Sequence, residues 1–534
     1  MTTIYYNGKI HTMDEKLNIV TAMAVCGGKI AALGTDTELR NAYPDADSAD
    51  LQGKTVIPGL IDTHAHIFMV ADSEGDGEMF IPTTIDELLS DVKKRVKESA
   101  PGTWITYKNT YPLRLLECRY PTREELDAVA PKHPVSVDGY YSAQLNSAAL
   151  RALELSKLPP GGRIIEESGT LLNCFSLLVP HYKTRTKKAQ SAAIKEAMAA
   201  YNSYGITTSV EGMSTREGIA AVEELQKEDK QTVRLRYTMM VPGENHKEFA
   251  KSVREIASRN REFARVGFLK NTIDGGILTG TSLMEDAYKN KERAFNLYGV
   301  GENFRGTLVS DVDVLAKSIE LAQEENLQYG AHCVGSEAAK KLLSAYAIVN
   351  EKSPTEGRRH VLIHADFMDK EMLKTAKKLD LTVLFQPAWH YMDAPFMEQI
   401  VSARECFRFL PYMDIKSSGV HAAAGSDHMV KYDGFKSVNP YNPFIGMYNM
   451  VSCAARDGAV YGESQRIDRI SALRYYTSDA AYAVFDEKLT GSLIAGNRAD
   501  FLVLDRDYFT CPEGEIINIR PERTYVDGKC VYKG

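Results

Sequence analysis

Eight short apolar, β-branched runs, each closing on polar residues, punctuate a chain of 534 residues. They read VIPGLID (56–62), ITTSVEG (206–212), RLRYTMMV (234–241), VGFLKNTIDG (266–275), LQYGAHCVG (327–335), HVLIHADF (360–367), LTVLFQP (381–387) and VHAAAGSD (420–427). Amphipathic segments lie between several of them, at 187–204, 310–325, 336–349 and 369–379, with apolar residues at three- and four-residue spacing. Ser310, Ser336 and Asp369 open the last three as expected caps. Alternating strands and crossover helices of this kind predict a parallel sheet closed into a barrel.

About 140 residues separate the first run from the second, far beyond an ordinary crossover, so an inserted subdomain is expected at about 70–185. Within it, TTIDELLSDVKKRVKESA reads as a helix and GGRIIEESGTLL as a hairpin. The first 55 residues alternate β-rich runs with Gly turns, and the same texture returns in GSLIAGNRADFLVLDRD and RTYVDGKCVYKG near the end. The two ends read as halves of one β domain, 1–57 plus 488–534, around a barrel at 58–487.

Net charge is -7 with Lys and Arg spread along the chain, which argues against nucleic acid or a polybasic membrane anchor and for a small-molecule substrate. No apolar stretch approaches the roughly 18 residues of a spanning helix and the start has no leader pattern, so a cytoplasmic protein is expected. The eight cysteines form no CxxC pair, against a zinc ribbon or a disulfide framework.

The chemistry is carried by strand ends. In PGLIDTHAH, His64 and His66 stand two apart, and residues i and i+2 of a strand project to one face about 6.6 Å apart. Both rings can therefore share one ion. An isolated HxH is as readily a pair of structural histidines, so further ligands have to appear elsewhere. His332 and His364 each end an apolar run, as do Lys270 and Asp427, and the carboxyl ends of barrel strands converge on one mouth. Glu211, ending the second run, is placed either to bind a substrate amine or to pair with a barrel lysine.

PGLIDTHAH followed in order by Lys270, His332, His364 and GSD resembles the amidohydrolase superfamily, and within it the YtcJ-like, type 3 branch that includes N-substituted formamide deformylase. NSAAL (146–150), GGRIIEESGTLL (161–172), HCVGSEAAKKLL (332–343), FQP (385–387), YTSDAAYA (476–483) and GSLIAGNRADFLVLD (491–505) extend the likeness over nearly the whole chain. The resemblance implies a distorted (β/α)8 TIM barrel with a small β-sandwich built from both termini. It also implies one or two divalent ions, most often zinc, with His64 and His66 on one, His332 and His364 on the other, and a carboxylated Lys270 bridging them. Asp427 would be both a metal contact and the catalytic proton carrier for a metal-bound hydroxide, whose formation near neutral pH follows from coordination. A homodimer is implied as well.

The chain departs from this branch at Tyr141, where a histidine usually precedes the NS-AL motif, and at His428 and Met429 after GSD. Tyr141, Trp389 and His428 are the substrate-binding candidates. The expected reaction is hydrolysis of a C–N amide bond in a small, neutral, fairly hydrophobic N-acyl amine or cyclic amide, with no Gly-rich phosphate cradle in view. Alternatives are a heterocycle deaminase, a decarboxylase and a non-catalytic relative on the same scaffold. Deamination is disfavoured by Glu337, which follows His332 by five residues rather than two or three.

Overall fold

The computed structural model describes residues 2–74, 80–154, 158–182, 187–289, 298–430, 433–435 and 437–534. Parts of the expected insertion (75–79, 155–157 and 183–186) therefore lie outside the described residues.

Eight parallel strands form one sheet in sequential order: β1 (Leu60–Ala65), β2 (Ile206–Glu211), β3 (Arg234–Met240), β4 (Ala264–Thr272), β5 (Gln328–Cys333), β6 (Val361–His364), β7 (Thr382–Phe385) and β8 (His421–Ala424). Every residue of β1, β2, β5, β6 and β7 is buried, as expected of strands covered on both faces. The two edges meet where the Thr63 hydroxyl donates to the Ala424 carbonyl (2.9 Å) and the Ser426 and Asp427 amides donate to the His64 carbonyl (3.2 and 2.6 Å). Ile61, Val210, Phe268, Ile363, Leu384 and Ala423 pack together with residues of the helix Ser478–Ala483, while the main core lies between strands and outer helices.

The run at 56–62 is not one strand. Thr55–Pro58 belongs to a second sheet and β1 begins only at Leu60, with Gly59 between them. A Cβ on Gly59 would sit 2.4 Å from Thr207 Oγ1, so the chain passes from one sheet to the other where no side chain fits. Two of the expected caps also differ. Asp311, not Ser310, caps Val312–Glu324, and the cap position before Ser336–Asn350 is Gly335, which has no side chain, while Ser336 is already the first helical residue and its hydroxyl donates to Glu405 at 2.7 Å. Asp369 caps Lys370–Lys378 through the Met372 amide.

The second sheet orders its strands Lys529–Lys533, Pro521–Val526, Phe501–Leu504, Thr55–Pro58, Lys9–His11 and Ile19–Val20, so segments near both ends of the chain interleave. A four-stranded sheet of residues 2–50 packs on it through Tyr5, Met23, Val25 and Ile30 against Val56, Phe501 and Tyr525, giving a β-sandwich. After β1, a five-stranded sheet is inserted, containing the antiparallel pair Arg163–Ile165 and Thr170–Leu172 and the helix Ile85–Glu98 capped by Thr84. The sandwich is fastened to the barrel by Arg234 at the start of β3, whose fully buried guanidinium pairs with Asp500 (3.0 Å), Glu262 (3.2 Å) and Asp527. Among the described residues no helix is long and apolar enough to cross a membrane.

Candidate metal centre

The carboxyl ends of the barrel strands open into a cavity that the inserted segment roofs with Tyr111, Tyr140 and Tyr141. His64 lies within β1 and His66 just beyond it, their rings 5.1 Å apart and nearly perpendicular. Both Nε2 atoms converge on Asp427 Oδ1, at 3.4 and 3.1 Å, and that oxygen has no hydrogen-bond partner although it is buried. These three side chains form a set whose ligand atoms all lie within 4.8 Å of one another. An acceptor oxygen left unpaired between two imidazole nitrogens is an expensive arrangement without a cation and an ordinary one around it, so the donor set fits a divalent ion.

The other expected residues gather beside this group. Lys270 Nζ lies 3.3 Å from His64 Nε2 and donates to the Gly212 carbonyl at 3.1 Å. The His364 ring is 5.1 Å from that of His64 and 4.5 Å from that of His332. His332 Nε2 donates to the Gly275 carbonyl (3.1 Å), which sets its tautomer and leaves Nδ1 to accept from the Tyr141 hydroxyl at 3.2 Å. His364 Nδ1 donates to Gln386 Oε1 (2.6 Å), leaving the lone pair on Nε2, and its ring stacks on Trp389.

Electrostatics keep these nitrogens ready for a metal. Burial lowers all four histidines, helped by neighbouring cations at His64, His332 and His364 and opposed by Asp427 at His66, and His332 is brought to about 3, so the imidazoles favour the neutral form. Burial also lowers Lys270 to about 8, against the opposing pull of Asp427 and Glu211, bringing the neutral amine within reach of ordinary pH. His364, Ala365 and Asp427 all hold positive φ (75°, 48° and 51°), a backbone cost of the kind that collects at functional sites.

Tyr141 and Trp389 line the cavity, but His428 does not. Its ring is fully buried behind Asp427, with Nδ1 toward the Tyr201 hydroxyl (3.0 Å) and Nε2 toward the Val430 carbonyl (3.1 Å). Glu211 accepts from the Phe68 and Met213 amides at 3.0 and 3.1 Å, and its carboxylate and the Lys270 amine act on each other electrostatically. Sequence reasoning missed a supporting layer. Asp62 ties β1 to the turn after β8 by accepting from the His64 amide and from the Ser426 amide and hydroxyl, and Asn439 donates to the Asp427 carbonyl at 2.7 Å. Asp274 receives the Leu283, Val334 and Gly335 amides under His332, and Gln386 orients His364. For Asp274 and Gln386 the available signals were the K-x-x-x-D-G spacing and the FQP run; Asp62 and Asn439 had none beyond their neighbours.

Eight parallel strands with a buried His-His-Asp cluster at their carboxyl-terminal rim define a metal-dependent hydrolase of the barrel class. A model described as the amidohydrolase family matches residues 47–532, and the chain belongs to that family. It is 24% identical over 553 residues to the putative amidohydrolase YtcJ of Bacillus subtilis (strain 168), covering 100% of both chains. It is 27% identical over 554 residues to N-substituted formamide deformylase of Arthrobacter pascens, covering 99% of this chain and 97% of that one. An uncharacterized metal-dependent hydrolase from Pyrococcus horikoshii OT3 shares the fold, with a TM-score of 0.71 and 20% identity over 96% of this chain and 99% of its own.

Proposed function

We propose that the protein hydrolyses a C–N amide bond in a small, neutral, fairly hydrophobic N-acyl amine or cyclic amide. The observation that carries this reading is the unpaired Asp427 Oδ1 between His64 and His66, at the floor of a cavity walled by Tyr111, Tyr140, Trp389, Met69 and Met429. His64, His66 and Asp427 would hold one ion; His332 and His364 would supply imidazoles for a second, and Lys270, after its neutral amine adds carbon dioxide and loses a proton, would supply a carbamate oxygen. Zinc, the metal most suited to this mixed nitrogen and oxygen set, would supply Lewis acidity toward the amide carbonyl and toward water. Asp427 carries the proton from the attacking water to the departing amine, with Asn439 holding its backbone carbonyl. Tyr141 presents its hydroxyl to the same space, and Trp389 gives an aromatic wall for the substrate's apolar part.

The deaminase alternative gains no support, because Glu337 lies on the helix after β5 and pairs with Lys341 at 3.3 Å. Metal analysis of the purified protein, combined with a screen of N-formyl, N-acetyl and cyclic amides, tests the proposal. Near-stoichiometric metal and amine release are expected. Ammonia from aminated heterocycles, with no amide turned over, would overturn it.

A further inference from the structure

The cavity contains one charged side chain that neither metal binding nor hydrolysis uses. Asp393, on the helix Pro387–Ile400, lines the wall and is 1% exposed. Directly behind it stands Arg114, from the short helical turn Pro112–Arg114 of the inserted segment. Arg114 Nη2 is 3.0 Å from both carboxylate oxygens, Nε is 3.2 Å from Oδ1, and Nη1 donates to the Val438 carbonyl. The guanidinium lies 5.7 Å from the centroid of the Tyr111 ring, another wall residue, so it is one layer from the cavity.

The consequence concerns which substrates can enter. Among the described lining residues Lys270 is the one lysine or arginine, and it is committed to the metal cluster. Arg114 is the cation in direct contact with this wall, through Asp393, and a planar fork of this kind is the natural receptor for a substrate carboxylate. Here the fork is filled by Asp393 and a backbone carbonyl. A substrate carboxylate at this wall would meet the like charge of Asp393 instead of a counter-ion.

We propose that Asp393 is a specificity-determining residue that masks Arg114 and thereby excludes carboxylate-bearing amides, such as N-acyl amino acids and dipeptides, in favour of uncharged ones. This rests on the reading of the site as an amide hydrolase. Asp393→Asn keeps an acceptor for Arg114 but leaves its charge unbalanced beside the cavity. Arg114→Met/Asp393→Asn removes the cation again.

The test compares N-acetylphenethylamine with N-acetylphenylalanine, which differ by the carboxylate, on metal-replete wild type and both variants. Binding of 3-phenylpropionate and of its neutral amide is measured alongside by calorimetry. Wild type should favour the neutral amide by at least about 100-fold in kcat/KM. Asp393→Asn should shift that ratio at least about tenfold toward the anion and tighten 3-phenylpropionate relative to its amide by a similar factor; the double variant should reverse both. An unchanged ratio and unchanged relative binding in Asp393→Asn, or a gain that survives loss of Arg114, would overturn the proposal. If wild type turns over no amide, the hydrolase reading fails and the binding comparison still decides the role of Asp393. A thermal melt of each variant shows whether the wall is intact, and the double variant, with no unbalanced charge, serves if Asp393→Asn does not fold.

Discussion

Two side chains at the rim of β1 and β2 illustrate opposite uses of burial. His64 is fully enclosed and neutral, and its Nε2 faces Asp427 and Lys270, so it has no role that water could take over. His64→Ala is expected to remove bound metal and reduce activity to background while leaving a soluble, folded chain, checked by metal content and circular dichroism. Full activity in that variant would refute the metal assignment. Glu211 is equally buried but serves the backbone, and burial raises its carboxyl to about 8. A raised carboxyl binds its proton more tightly folded than unfolded, so its contribution is present below the unfolded value and is lost as pH rises through the folded one. Unfolding free energy should therefore fall between the ordinary carboxylate range and about pH 8, by up to about 1.4 kcal/mol per unit. Glu211→Gln should make this slope shallower by Glu211's share, the rest belonging to Asp62 and Asp274, which burial raises to about 7, as measured by urea denaturation of both proteins across that range.

At the scale of elements, the barrel depends on close passage of its first and last strands. Gly425, just after β8, lies so near β1 that an added Cβ would sit 2.6 Å from the His64 amide nitrogen and 3.0 Å from Asp62 Oδ1. Gly425→Ala should cost about 1–3 kcal/mol in denaturant unfolding and weaken metal retention, because the displaced backbone carries His64 and leads to Asp427. Seven of the eight strands were legible because each is a compact apolar run, the first only in part because Thr55–Pro58 joins the sandwich, and the gathering of His64, Lys270, His332 and His364 was legible because a barrel sends strand ends to one rim. The caps at Ser310 and Ser336 misled because each helix boundary lies one residue away from the serine: Asp311 takes the cap of the first, and Gly335 stands at the cap of the second with Ser336 already helical. His428 misled for a different reason. Its adjacency to Asp427 said nothing about which way the ring turns, and Tyr201, 227 positions earlier, decides that. Asp62, Asn439 and the Arg114–Asp393 pair act across the fold with no local periodicity to reveal them.

For the molecule as a whole, sandwich and barrel are joined by ion pairs around a buried arginine. Asp500→Ala would leave the buried Arg234 guanidinium to Glu262 and Asp527 alone and should cost about 1–3 kcal/mol, with both parts still melting in one transition by calorimetry. The interleaving of the second sheet has a temporal side. Thr55–Pro58 finds one edge partner in Lys9–His11 soon after synthesis, but its other edge waits for Phe501–Leu504, about 440 residues later. At a translation speed of roughly 5–20 residues per second, an apolar strand edge stays unpaired on the ribosome for about 20–90 s. Completion of this sheet thus waits for Phe501–Leu504, and until that segment emerges the apolar edge is open to wrong pairing.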